Sequence, residues 1–165
     1  MKKIVIVIFC FALTSCIFDN WREPEITVDP VWSRYDPVTL SRTDFENSIE
    51  IQEKTPVIES SKIYIIEDYI FVNDKRTGFH IFDNTDETNP VKKKFLKIPG
   101  ATDIAIRNNT LYINQATDLV VLNIDYTTFQ VEVKKRLKNV FPELLSPDGE
   151  SFYENDKVVV NWIQK

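Results

Sequence analysis

Short apolar segments separated by polar turns fill the stretch 62–123, and the same unit occurs there twice. Each copy has two apolar segments joined by a tight polar turn, followed by a polar loop and a third apolar segment. The segments are, in chain order, 62–66, 69–73 and 79–83, then 102–106, 110–114 and 119–123. Short runs rich in Ile, Val, Tyr and Phe between turn residues predict β-strands, and the tight turns predict hairpins.

The two copies are offset by about 40 residues, which is the period of a four-stranded propeller blade. A fourth, lysine-rich segment completes each copy, at 91–98 and at 130–137. We interpret these segments as outermost strands, because lysines on an exposed edge prevent pairing with other chains. The expected fold class is therefore all-β, with about two four-stranded antiparallel β-propeller-type blades at 62–100 and 101–140.

The last part of the chain, 141–165, predicts a connector and the start of a third blade, because 157–162 repeats the pattern at 110–114. A closed propeller needs at least about four blades, so this number of blades does not close a ring. Three explanations stay open. The chain is a truncated product, a short open β-sheet protein, or part of a ring that oligomerisation completes.

The N-terminus carries the pattern of a bacterial lipoprotein signal. Two lysines precede an apolar run of about ten residues, which is too short to span a bilayer. The run ends in Leu-Thr-Ser-Cys at 13–16, which resembles the lipobox. The resemblance implies that residues 1–15 are a signal peptide and that Cys16 is lipidated. The alternative is an ordinary secretory signal with an incidental cysteine.

The sequence is less specific about which membrane holds the lipid anchor. Ile17 stands where inner-membrane retention signals carry Asp. This favours the outer membrane of a Gram-negative cell, and the choice between the periplasm and the cell surface stays open.

Residues 16–61 predict a lipid-anchored tether, because prolines punctuate the stretch and sustained periodicity is lacking. A short N-terminal helix is expected within it, at 41–49. Either Ser41 or Thr43 caps this helix, and an acidic residue three positions later completes a capping box.

Composition and charge restrict the partners. The 165 residues carry a net charge of −5, and such an acidic balance argues against nucleic acid, because phosphate binding needs basic groups. The two cysteines do not predict a disulfide, since Cys10 lies in the apolar run that signal cleavage removes. We expect no cofactor and no metal.

Few residues are candidates for catalysis or for ligand binding. His80 is the sole histidine and lies inside a predicted strand, which favours a structural role over a catalytic base. The segment 83–89 is rich in oxygen ligands, but it lacks the spacing and the Gly of a calcium loop, so a turn with Asx hydrogen bonds is favoured. Asp103 and Asp118 lie near strand ends, which face the channel mouths in a propeller. They are the candidate ligand-facing residues.

The segments 79–90 and 118–125 resemble the LVIVD repeat, a β-propeller repeat common in Bacteroidetes lipoproteins. The lead-in 41–66 and the stretch 141–149 are also similar to such lipoproteins. The resemblance implies a propeller fold and an exported location. It implies no active site, because the biochemical function of the family is uncharacterised. The chain departs from the family in length, since family members run to several blades.

We therefore expect an exported, membrane-anchored lipoprotein that is not an enzyme and whose partial β-propeller binds an unidentified protein or glycan ligand. Membrane lipid is a further partner through the N-terminal anchor, and self-association through open blade edges is another. Two alternatives stay open. One is a structural envelope protein that self-assembles, and the other is a propeller hydrolase, which needs convergent carboxylates or histidines.

Overall fold

The computed structural model describes residues 33–165, and within this range the chain is all-β. The predicted signal peptide 1–15, Cys16 and the first part of the predicted tether lie outside the described residues and stay predictions. Eleven strands and one short helix form in the described range. In chain order they are β1 (Tyr35–Ser41), α1 (Arg42–Glu46), β2 (Glu50–Glu53), β3 (Ser60–Ile66), β4 (Tyr69–Asp74), β5 (Gly78–Asp83), β6 (Val91–Lys97), β7 (Ala101–Arg107), β8 (Thr110–Gln115), β9 (Asp118–Asp125), β10 (Gln130–Leu137) and β11 (Lys157–Gln164).

The strands pair antiparallel and form three sheets in the described range. The first sheet has the order β2-β6-β5-β4-β3, the second has the order β10-β9-β8-β7, and the third consists of β1 and β11. None of these three sheets closes on itself. The first and second sheets are meanders of neighbouring strands, and β2 adds a fifth strand beside β6 in the first sheet.

The strands of the repeat form where the sequence pattern predicts them, because the turn signals are local. Asn108 and Asn109 have φ angles of 47° and 61° in the turn between β7 and β8. Positive φ at both central residues suits the tight hairpin turn that joins twisted strands, and asparagine tolerates it well. Glu67, with φ of 47°, occupies the corresponding turn between β3 and β4.

The repeat in the sequence is also a repeat of strand register. Ile63 pairs with Val72 in the first sheet, and Ile104 pairs with Ile113 in the second sheet, 41 residues further along. The β4–β5 and β8–β9 pairings correspond in the same way, to within one residue. Positions in β3, β4 and β5 therefore have counterparts in β7, β8 and β9.

The main core lies between the first and second sheets. Its buried side chains come from both of them. They are Phe71, Phe79, Ile81, Leu96, Ile98, Ala101, Ile104, Leu111, Ile113, Val120, Leu122 and Ile124. Tyr69 of β4 and Tyr126 after β9 stack with ring centroids 4.1 Å apart. Because each large apolar side chain contributes about 1.5–3 kcal/mol when buried, this shared core is the main force that joins the two sheets.

Gly78 permits the close approach of β5 and β6. Its φ is +151°, and a Cβ atom at this position would lie 2.1 Å from the carbonyl oxygen of Leu96. This separation is far inside van der Waals contact, so any other residue would push the two strands apart.

Residues 35–53 form part of the folded unit, whereas the sequence pattern predicts a tether over 16–61. β1 pairs with β11, and β2 pairs with β6. Pro37 is tolerated in β1 because each strand of a two-stranded sheet has a free edge. Val38 and Leu40 of β1 pack on a second cluster that includes Phe45 and Val158. The tether assignment fails here because each of these strands depends on a partner far away in the sequence.

The helix predicted over 41–49 is shorter in the structure, where α1 spans Arg42–Glu46. Ser41 is its N-cap, and the hydroxyl oxygen accepts a hydrogen bond of 3.0 Å from the N–H of Asp44. The helix ends early because the chain extends into β2, where Glu50 pairs with Lys97.

The lysine-rich strand β6 is not an edge strand, in contrast to the prediction for 91–98. β2 pairs with it, and its acidic side chains meet the lysines. Nζ of Lys97 lies 2.8 Å from Oε1 of Glu50, and Lys94 forms an ion pair with Glu53. These lysines therefore match an acidic neighbouring strand. β10, the other lysine-rich strand, does lie at the edge of its sheet within the described residues.

The segment 141–165, predicted to be a connector and the start of a third blade, contributes β11 alone. Its partner β1 comes from before the repeats rather than from the same segment.

Candidate functional site

Asp103, one of the two candidate ligand-facing residues, lies in β7 beside β3 of the first sheet. Its carboxylate accepts hydrogen bonds from the Tyr64 hydroxyl, from the Lys62 ammonium group and from the N–H of Ile104. Burial raises the pKa of Asp103, but these hydrogen bonds outweigh it, so the pKa lies below its ordinary value. The side chain is half exposed. Asp103 therefore links the two sheets and still reaches solvent.

A shallow depression lies beside Asp103 on the side of the second sheet that faces away from the first sheet. We call this side the outer face and define it by Ala105, Tyr112, Leu119 and Val121, which are same-face partners in the strand register. Tyr112 is 37% exposed. The depression is lined by Asp103, Ile104, Ala105, Tyr112, Asn114, Leu119 and Phe141. Aromatic rings beside a carboxylate and an amide suit contact with a protein or a glycan.

Asp118, the other candidate, does not face a ligand, because its side chain is fully buried. It accepts hydrogen bonds from Arg42 of α1 at 3.1 Å, from Arg136 of β10 at 3.0 Å and from the N–H of Asn139 at 3.1 Å. Burial raises the pKa of Asp118, but the hydrogen bonds to it outweigh this effect and lower the pKa, so the carboxylate stays ionised. Asp118 therefore fastens α1 and β10 to β9.

The two arginines that bind Asp118 also flank a buried aromatic ring. The guanidinium carbons of Arg42 and Arg136 lie 5.4 Å and 5.2 Å from the ring centroid of Phe45. Cation–π contacts of this kind each stabilise by about 0.5–2 kcal/mol. We call Arg42, Phe45, Asp118 and Arg136 the Asp118 cluster. Its groups satisfy one another, so its role is structural.

His80 is fully buried in β5, and its Nε2 atom lies 3.1 Å from Oδ2 of Asp74. Asp74 also accepts hydrogen bonds from the N–H groups of Ile58 and Glu59. Burial lowers the pKa of His80, and Asp74 offsets this only in part. The ring is therefore neutral at pH 7, and Nε2 donates to the carboxylate. The buried ring holds the segment before β3 in place through Asp74.

The oxygen-rich segment 83–89 forms hydrogen-bonded turns. Oδ1 of Asp83 accepts hydrogen bonds from the hydroxyl and the N–H of Thr85, at 2.7 and 3.0 Å, and Asp86 binds Thr88 in the same way. The bonds from Thr85 lower the pKa of Asp83 to about 2. Within residues 33–165, no group of three or more His, Cys, Asp or Glu side chains is placed to hold a metal ion.

An exposed apolar surface lies on the side of the first sheet that faces away from the second sheet. We call it the open face and define it by Ile63, Ile65, Ile70, Val72 and Phe82, which are same-face partners in the strand register. Ile63 and Ile65 are 64% and 68% exposed, whereas Ile70, Val72 and Phe82 are half-buried. This surface contrasts with the opposite side of the same sheet, which is buried in the core.

Sequence reasoning missed the open face, although a signal was present. The segment 62–66 is almost continuously apolar. Such runs are typical of strands that are covered on both sides, and β3 is covered on one side. A continuous apolar run in a strand with one uncovered side predicts an exposed apolar surface.

Fold and surface define an all-β protein of stacked, open antiparallel sheets. No helix among the described residues is long and apolar enough to cross a membrane. Comparison of the chain with protein-family models, with curated proteins and with solved structures finds no match. The resemblance to the LVIVD repeat therefore stays a prediction, and the function is argued from the residues alone.

Proposed function

We propose that the chain is an exported, lipid-anchored lipoprotein of the cell envelope whose β-unit acts as an interaction module and not as an enzyme. The observation that carries the proposal is the open face, where Ile63 and Ile65 leave about two thirds of their surface in water. Contiguous exposed apolar patches are rare on monomeric soluble proteins and mark interaction sites. The buried and paired His80 gives no support to a catalytic role.

The architecture of this module is that of β-propeller blades of the LVIVD type. Four features support it: antiparallel meanders, a register that repeats after 41 residues, a core shared by neighbouring sheets, and the order of the strands along the chain. The repeat length suits a four-stranded blade. The pair of β1 and β11 is then part of a further blade.

The anchor is Cys16, and its location is the outer membrane of a Gram-negative cell. The n-region, the apolar run and the residues 13–16 at its end support the anchor, and Ile17 supports the outer membrane. Each buried methylene of an acyl chain contributes about 0.8 kcal/mol, so more than one chain on a single residue anchors firmly.

Metabolic labelling with a radioactive or clickable fatty acid tests the anchor. Cys16→Ser is expected to abolish labelling and to release the chain from the membrane fraction. Cys10→Ser is the matched control, because this cysteine lies in the segment that the signal peptidase removes, and it is expected to label like the wild type. Undiminished labelling of Cys16→Ser would refute the lipoprotein assignment.

Site-specific photo-crosslinking in cells tests the module. A photoreactive amino acid at Ile65, on the open face, is expected to give a discrete protein adduct. The same amino acid at Ile163, which is 58% exposed on β11, is the control for exposed isoleucines elsewhere. Equal patterns at both positions would show that the open face is no more engaged than an ordinary exposed surface.

The second candidate function is a structural envelope protein that self-assembles. The observation in its favour is the presence of two partly exposed apolar sheet sides, the open face and the outer face, on opposite sides of the stack of first and second sheets. A module for one ligand needs one such surface.

A further inference from the structure

The side of the second sheet that packs on the first sheet is the repeat counterpart of the open face. Strand register gives the correspondence residue by residue. Ile63, Ile65, Ile70, Val72 and Phe82 of the open face correspond to Ile104, Ile106, Leu111, Ile113 and Leu122 of the second sheet. All five counterparts belong to the core between the two sheets or pack against it. The same positions are therefore used for packing in the second sheet, whereas in the first sheet Ile63 and Ile65 are exposed and the other three are half-buried. The next pair of counterparts on these sides, His80 and Val120, is buried in both sheets.

The converse holds for the outer face. Its residues Ala105, Tyr112, Leu119 and Val121 correspond to Tyr64, Phe71, Phe79 and Ile81 of the first sheet. These four counterparts are in the core or pack against it. The outer face of the second sheet is therefore the repeat counterpart of the first-sheet side that packs on the second sheet. Within residues 33–165, there is one completed contact between the two types of surface and one partly exposed surface of each type.

The charged residues at the edge of the contact between the two sheets also occupy corresponding positions. Lys62 of β3 and Asp103 of β7 occupy corresponding positions, 41 residues apart, and they form an ion pair between the first and second sheets. If the outer face of one copy covers the open face of another copy as the two sheets pack within the chain, Asp103 of the first copy lies opposite Lys62 of the second. The new contact is then complementary in charge as well as in apolar character.

We propose that the open face binds the outer face of a second copy of this chain, in a head-to-tail contact that repeats the packing of the first sheet on the second sheet. The inference rests on the proposed function as an interaction module and names its partner. A head-to-tail contact uses two different surfaces, so each copy keeps one free surface and can bind a further copy. Such a contact generates rings when the rotation closes and open chains when it does not.

A second copy fits better than an unrelated partner because both required surfaces are on the same chain. An unrelated partner of the open face would leave the outer face, with the exposed Tyr112, without an explanation. One contact between copies covers both surfaces, and it uses a packing geometry that the chain already adopts once.

Sedimentation velocity of the full chain, in detergent matched to the density of the solvent, tests the proposal. The wild type is expected to associate reversibly as its concentration rises. Ile65→Asp and Tyr112→Asp each place a carboxylate in one of the two surfaces, and each is expected to weaken association about 100-fold, because an unpaired charge is buried in an apolar contact. Ile163→Asp is the matched control and is expected to behave like the wild type.

Mixing the two variants distinguishes the head-to-tail contact from a symmetric one. The Ile65→Asp chain keeps an intact outer face, and the Tyr112→Asp chain keeps an intact open face. The mixture is therefore expected to form a one-to-one dimer and nothing larger. A contact of two open faces would instead leave Tyr112→Asp associating like the wild type, and that result would overturn the proposal.

A second pair of variants uses charge and leaves the apolar surfaces unchanged. Lys62→Asp and Asp103→Lys are each expected to weaken association several-fold, and the double variant is expected to restore it. If the wild type stays monomeric at every concentration, the second copy is not the partner. In that case a discrete crosslink from Ile65 to a different protein would leave the interaction module standing, and its absence would remove both inferences.

Discussion

Replacing Asp118 by asparagine removes the negative charge from the Asp118 cluster and keeps the shape of the side chain. Arg42 and Arg136 are largely buried beside this carboxylate and then keep their positive charges next to a neutral amide. The amide nitrogen is a donor where the carboxylate oxygen was an acceptor, so at least one guanidinium group loses its partner. We expect the variant to fold but to be less stable than the wild type.

The size of the loss follows from the burial of the cluster. Breaking a buried ion pair by removing one partner costs about 3–5 kcal/mol, because an uncompensated charge remains. The lower end applies, since Arg42 also contacts Glu46 at 2.6 Å and retains some contact with water. We therefore expect a decrease of about 3 kcal/mol in the free energy of unfolding. For a unit of this size this corresponds to a decrease of about 10 °C in the melting temperature.

The difference between variant and wild type depends on pH in a defined direction. Burial raises the pKa of Asp118, yet the hydrogen bonds from Arg42, from the N–H of Asn139 and from Arg136 lower it overall. The unfolded chain therefore binds the proton at higher pH than the folded chain does. The stabilisation is complete above the unfolded pKa of about 3.9 and is lost as the pH falls through the lower, folded value. The difference is expected to shrink below about pH 4.

Chemical denaturation followed by circular dichroism at pH 7 and at acidic pH measures both effects. Asp36→Asn is the control, because Asp36 forms an exposed ion pair with Lys165 and its loss costs less than about 1 kcal/mol. The triple variant Arg42→Met, Asp118→Leu, Arg136→Leu replaces the cluster by apolar groups and is expected to approach or exceed wild-type stability. Unchanged stability of Asp118→Asn at pH 7 would refute the reasoning that this charge holds α1 and β10 together.

Three further predictions concern other parts of the described chain. Gly78→Ala is expected to destabilise by at least about 2 kcal/mol in thermal unfolding, because strain adds to the clash with Leu96; Gly149→Ala, at φ +88° with no atom within 4 Å, isolates the strain and is expected to cost less. His80→Gln is expected to weaken the loss of stability as the pH falls below about 6.5, because burial lowers the pKa of His80 and the unfolded chain is protonated first; an unchanged pH profile would contradict this. Adding calcium or a chelator is expected to leave the melting temperature unchanged, because the carboxylate of Asp83 is held by hydrogen bonds within its own turn; a shift would point to a cation in this loop.

The strands of the two repeats could be predicted from the sequence because their signals are local. A tight turn such as Asn108–Asn109 sets the hairpin, and the apolar segments on either side need no distant information. The same logic predicted the Asx turns at 83–89, where Asp83 binds Thr85, its second neighbour along the chain.

The parts that sequence reasoning missed depend on residues that are distant in the chain. Asp118 looks like a free carboxylate at a strand end, and its partners Arg42 and Arg136 lie 76 and 18 residues away. β2 has only four residues and no signal of its own, and it forms by pairing with β6 while Ile51 packs against the core. Patterns of hydrophobicity cannot specify such pairings, since any lysine-rich edge is equally consistent with an unpaired strand.

The pairing of β1 with β11 predicts the order in which the three sheets fold. Ser41 pairs with Lys157, which is 116 residues later, whereas the first and second sheets grow mainly by hairpins between neighbouring strands. Hairpins close short loops and form early. Contacts between distant residues form later, because their larger loss of chain entropy must first be offset by other contacts. We therefore expect a growing chain to assemble most of its first two sheets while β1 still lacks a partner. The third sheet then forms last, when the chain has been made up to β11, and its amide hydrogens are the first to exchange when the folded unit opens.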